Sequence, residues 1–170
     1  MGFFNAFLGL EKPSSGIPTV SSIMPDKAIN EIIYGRLPHL ITDEIFFKKG
    51  EVCHYIDKSY LMKPTTKRAY NTTSVGGDIF GVKVRKGLVV PIEGQDLERI
   101  KGIIYVTNRR TIFQAKSNGF DKPHSALTSV TPYANAVRMQ YGSTHYFLIV
   151  PSGAVLDEVY SIIREKIRGV

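Results

Sequence analysis

Gly102-Ile-Ile-Tyr-Val-Thr-Asn-Arg-Arg-Thr-Ile-Phe-Gln114 holds two short runs of β-branched and aromatic residues hinged on Thr107-Asn108-Arg109. Ile103 to Val106 and Thr111 to Phe113 suit a pleated, half-buried surface, and Asn108 tolerates the left-handed backbone that a tight reversal uses. The stretch reads as a β-hairpin.

Working outward, strand patterns run over Val52 to Met62, Arg68 to Val75 and Ile79 to Val90, punctuated by Lys63-Pro64, Gly76-Gly77 and Pro91. Pro91 to Lys101 is polar and reads as a loop. Beyond the hairpin come an Asn118-Gly119 turn and strands at Ala126 to Tyr133, Ala136 to Tyr141 and His145 to Val150. The period then changes. Val155, Val159, Ile162, Ile163 and Ile167 form one helical stripe, with Ser152 placed to cap it and Gly169 to end it. A first helix is expected to open at Asp26 as N-cap, to carry Ile29, Ile32, Ile33 and Leu37 on one face, and to stop at Pro38. Before it, Glu11 to Met24 is rich in Pro and Ser and reads as a linker behind an apolar tip. The expected division is residues 1–24 as tip and linker and residues 25–170 as one domain.

The hairpin resembles the G-x-hydrophobic-Y-x-T-N-x-R-hydrophobic-x-F hairpin of the GRAM and bacterial pleckstrin-homology-like domains. Gly35-Arg36-Leu37-Pro38, Lys49-Gly50-Glu51, Phe80-Gly81-Val82-Lys83-Val84-Arg85-Lys86-Gly87 and the closing helix follow in the same order, so the likeness spans about Asp26 to Ile167. It implies a mainly β fold: a strongly bent antiparallel sheet or partly open barrel, with an N-terminal helix and a C-terminal capping helix. It also implies a binding scaffold in place of an enzyme, and offers no ligand motif that transfers residue by residue.

Composition agrees with a globular chain. The sequence has 170 residues, 43% hydrophobic and 22% charged, with no Trp but 9 Tyr and 9 Phe, values near globular averages. The single cysteine, Cys53, cannot form an internal disulfide, which favours a reducing, cytoplasmic location, membrane-peripheral at most. Its neighbour His54 invites a nucleophile and base reading, but adjacent strand residues point to opposite faces, so Cys53 is expected to be a small buried side chain. The apolar N-terminus lacks a basic leader, and Ala6 stands where a myristoylation signal needs Ser or Thr. His39, His54, His124 and His145 show no metal-ligand spacing. Gly76-Gly77-Asp78-Ile-Phe-Gly81 fits neither a dinucleotide fingerprint nor a phosphate loop. No catalytic residue, metal or cofactor is expected.

The net charge is +7, and residues 58–122 hold 13 basic against 5 acidic side chains. Strand alternation puts Lys83 and Arg85 on one face; Lys63, Lys67 and Arg68 gather at one strand turn, and Arg109 and Arg110 at the hairpin. Such a set could meet anionic headgroups, each cation contributing about 1 kcal/mol, or nucleic-acid phosphates, which would show a steep salt dependence. Arg164, Lys166 and Arg168 are better read as favourable charges at a helix C-terminus. Phe3, Phe4, Phe7 and Leu8 make the apolar tip a candidate partner-binding element, because so short a segment does not form a stable helix alone. The expected function is a protein-interaction or assembly module. Peripheral binding to an anionic membrane is the alternative, and non-specific nucleic-acid binding through the basic face comes after it.

Overall fold

The computed structural model describes the backbone of residues 20–64, 78–79, 82–85, 88–91 and 97–169, with side chains for residues 20–63 and 98–169. Helix α1 (Asp26–Ile33) leads into a long loop and strand β1 (Cys53–Pro64). Three short strands follow, β2 (Asp78–Ile79), β3 (Val82–Arg85) and β4 (Leu88–Pro91). Then come β5 (Leu97–Thr107), β6 (Arg110–Ala115), β7 (Phe120–Pro123), β8 (Leu127–Tyr133), β9 (Ala136–Tyr141), β10 (Thr144–Ile149) and helix α2 (Gly153–Arg168).

Seven strands form one antiparallel sheet in the order β7-β6-β5-β1-β10-β9-β8, while β2, β3 and β4 make a separate three-stranded sheet. The large sheet is two meanders joined where Tyr60–Met62 of β1 pair with Phe147–Ile149 of β10. It is not closed: β7 and β8 are its two edges. It is strongly bent nonetheless. Phe120 of β7 stacks on Tyr146 of β10 with ring centroids 3.9 Å apart, although four strand spacings of a flat sheet would separate them by about 19 Å. Among the described residues the fold is therefore mainly β, with one helix before the large sheet and one after it, as the sequence led one to expect.

The core lies inside the bend, where Tyr55, Ile104, Val106, Phe113, Met139 and Leu148 meet Leu156, Val159, Tyr160 and Ile163 of α2. Ser152 caps α2, its hydroxyl accepting from Val155 N–H, and Gly169 ends it in the left-handed conformation at φ 71°. Tyr160 bonds Thr111 of β6 at 2.6 Å and reaches the sulfur of Met139 in β9 at 3.2 Å. One helical tyrosine thus ties both meanders together. Two glycines are dictated by close approach: a Cβ on Gly102 would lie 2.7 Å from the Phe113 ring, and one on Gly153 would lie 1.9 Å from the Tyr133 carbonyl oxygen.

Several local expectations change. Within Ile79 to Val90 the described residues belong to three antiparallel strands instead of one. Strand β5 begins at Leu97, inside the expected Pro91 to Lys101 loop, since Glu98, Arg99 and Lys101 find partners across β1. Strand β7 falls where only the Asn118-Gly119 turn was expected, Asn118 taking φ 54°. Helix α1 is capped by Pro25 in place of Asp26 and ends before Gly35, at φ 77°, three residues ahead of Pro38. In α2 the stripe shifts: Leu156 and Tyr160 are buried, while Ile167 is 65% exposed. The end of the supposed linker belongs to the domain. Ser22 Oγ and Ile23 N–H both donate to Asp57, Met24 enters the core, and Val20 packs against Met62, Ala136, Phe147 and Ile149.

Candidate interaction surface

The hairpin reverses at Thr107 to Arg109, and its turn is built from side chains. Asn108 does not enter the left-handed region; among the described residues only Asn118 does so without being glycine. Instead Asn108 Oδ1 accepts from Val52 N–H at 2.9 Å and its Nδ2 donates to the Gly50 carbonyl at 3.1 Å. Thr107 Oγ1 accepts from the N–H groups of Arg109 and Arg110, each at 3.0 Å, and donates to Glu51 Oε1 at 2.7 Å. The turn is thereby joined to the chain entering β1.

Glu51 sits at the centre of this junction, its side chain 0% exposed. It accepts from Arg110 Nε at 2.8 Å and from Lys48 N–H at 2.8 Å. Burial would raise its carboxyl pKa, but the hydrogen bonds from Arg110, Lys48 and Thr107 outweigh that and hold it below the ordinary glutamate value. Arg110 also binds Asp121 through Nη1, and its Nη2 donates to the Phe46 carbonyl at 2.7 Å. These bonds fix the backbone from Phe46 to Val52. In the same loop Ile41 is 99% exposed and Phe46 98%, Asp43, Glu44, Lys48 and Lys49 are exposed, and Thr42 and Ile45 are half-buried; Arg109 at the turn is exposed as well. Ile41 and Phe46 are the most exposed large apolar side chains among the described residues.

Of the expected basic residues, Arg109, Arg110 and Lys63 have described side chains. Arg109 is exposed at the turn, whereas Arg110 is engaged by Glu51, Asp121 and Phe46. Lys63 donates to Asn118 Oδ1 at 2.8 Å, at the far end of β1. The register pairs Lys63 with Glu98 and Cys53 with Thr107, so Lys63 and Arg109 stand about 30 Å apart along the strand. Lys83 and Arg85 lie in β3 of the smaller sheet. Lys67 and Arg68 fall outside the described residues, as do Phe3, Phe4, Phe7 and Leu8. The exposed pair Ile41 and Phe46 and the carboxylate of Glu51 were not singled out by sequence reasoning. Their signal was Phe46-Phe47-Lys48-Lys49, an apolar pair next to charge in a segment with no period.

Other reactive side chains are committed to structure. Cys53 is buried against the carbonyls of Tyr55 and Val106, and burial pushes its thiol up to about 11. His54 Nδ1–H donates to the Pro38 carbonyl at 2.8 Å and His124 Nε2–H to the Thr107 carbonyl at 2.6 Å, both rings being held below their usual pKa by burial. Among the described residues, no group of three or more His, Cys, Asp and Glu side chains could hold a metal ion, and no helix is long and apolar enough to cross a membrane. Compared with known proteins, the chain matches no family model and no curated protein.

Proposed function

We propose that the chain is a non-enzymatic, cytoplasmic binding domain of pleckstrin-homology-like architecture, acting in protein interaction or assembly. One observation carries this reading: Ile41 and Phe46 stand in water, and the backbone is held at Phe46 by Arg110 and at Lys48 by Glu51. A free apolar pair costs solubility, and a rigid one saves the ordering entropy that a flexible loop loses on docking. The strand order supports the architecture, with the first long strand at the centre between two meanders and a helix across the bend. The burial of Cys53, His54 and Glu51 within structural hydrogen bonds supports a scaffold in place of a catalyst.

Peripheral binding to anionic headgroups is the second reading, supported by exposed Arg109, which approaches Gly50 beside Lys48 and Lys49. Light scattering on the whole chain over a concentration series, alongside pelleting with anionic and neutral vesicles in a salt series, separates the two. A mass above the monomer, or capture of a defined protein with no vesicle binding, supports interaction. A monomer that binds anionic vesicles and releases them at high salt moves the function to the membrane. Salt-sensitive retention of duplex DNA would instead favour nucleic acid.

A further inference from the structure

We propose that the loop Ile41–Gly50 docks against the same loop of a second copy of this chain, forming a two-fold symmetric dimer with Phe46 near the axis. The proposal rests on the assembly reading and assigns that assembly a surface. Phe46 is 98% exposed and Ile41 99%, so the loop carries apolar side chains that nothing among the described residues covers. The order of charges along the loop selects the partner. Asp43 and Glu44 precede Phe46, Lys48 and Lys49 follow it, and all four are exposed.

An apolar residue with acid on one side and base on the other becomes its own complement on rotation by 180°. In a two-fold pair, Asp43 and Glu44 of one copy face Lys48 and Lys49 of the other while the phenyl rings meet between them. A surface of one sign does less well. An anionic bilayer attracts Lys48, Lys49 and the neighbouring Arg109 but repels Asp43 and Glu44, whereas a second copy satisfies both signs. Arg110 holds the Phe46 carbonyl and Glu51 the Lys48 N–H, so the loop from Phe46 onward is ordered before docking. Standard interfaces bury about 800 Å² per partner, and a ten-residue loop supplies less, so the dimer is expected to be weak and fast-exchanging, with a dissociation constant above about 1 μM.

The test is sedimentation velocity on the whole chain across a concentration series at low ionic strength. The parent should move from monomer to dimer as concentration rises. The pairs D43K/E44K and K48E/K49E should each weaken dimerisation about tenfold or more, which is about 1.4 kcal/mol. Mixing the two variants should restore a heterodimer, and the fourfold exchange should restore the homodimer. Phe46→Ser should be monomeric with an unchanged melting temperature, which confirms that the fold is intact. A parental dimer indifferent to all these changes overturns the loop as the interface and leaves the assembly reading standing. A chain that stays monomeric throughout overturns the loop dimer and self-assembly but not interaction with a different protein, and a monomer that binds phosphatidylserine vesicles through Phe46 overturns the dimer and assigns the loop to the membrane.

Discussion

Replacing Arg110 by alanine isolates the junction between the hairpin turn and the exposed loop. Glu51 would keep its bonds from Lys48 N–H and Thr107 Oγ1 but lose those from Arg110 Nε and Nη2, leaving a carboxylate with a fully buried side chain and no counter-charge. Breaking a buried pair on one side costs about 3–5 kcal/mol, and the surviving bonds place this case near 3. For a domain of this size, 1 kcal/mol lowers Tm by about 2–4 °C, so Arg110→Ala should melt about 6–12 °C below the parent at neutral pH. The sign of the pH dependence follows from Glu51. Its folded pKa lies below the ordinary value of 4.5, so its contribution is present above that pH and fades as pH falls through the lower folded value. Denaturant melts at neutral pH and in the acid range should therefore show parent and Arg110→Ala converging on acidification. Adding Glu51→Gln to Arg110→Ala should recover part of the loss, because the buried charge is gone. A neutral-pH loss under about 1 kcal/mol, or a difference that does not shrink in acid, would refute a buried, charge-dependent clamp.

Gly153→Ala drives a methyl group into the Tyr133 and Ala136 carbonyls, at 1.9 and 2.3 Å; the overpacking should cost about 1–3 kcal/mol by thermal melt in spite of alanine's better helix propensity. Ile163→Asp places a carboxylate in the contact between α2 and the bent sheet, where Ile163 is buried; a loss of several kcal/mol is expected, and unchanged stability would discard that packing. Cys53, with its thiol raised to about 11, should react with iodoacetamide near pH 8 far more slowly in the native state than after unfolding, as mass spectrometry over time would show.

What the sequence determined by itself was local. Alternating β-branched residues between turn formers made the hairpin and strands β8 to β10 legible, and a 3.6-residue stripe bounded by Ser152 and Gly169 made α2 legible, because such elements are set by neighbours a few residues apart. Strand β5 was hidden where its polar start, Glu98 to Lys101, depends on pairing with β1 some forty residues earlier in the chain. The bend is likewise tertiary: nothing near Phe120 announces that its ring will stack on Tyr146. The candidate site shows the same division. Arg109 and Arg110 are equivalent cations in sequence, yet the fold brings Glu51, Asp121 and the Phe46 carbonyl to one and exposes the other. The composition of the Ile41–Gly50 loop was present in the chain, but its apolar residues could equally have entered the core. Only the three-dimensional arrangement, in which Arg110 and Glu51 hold the backbone from inside, turned Phe46 outward into water.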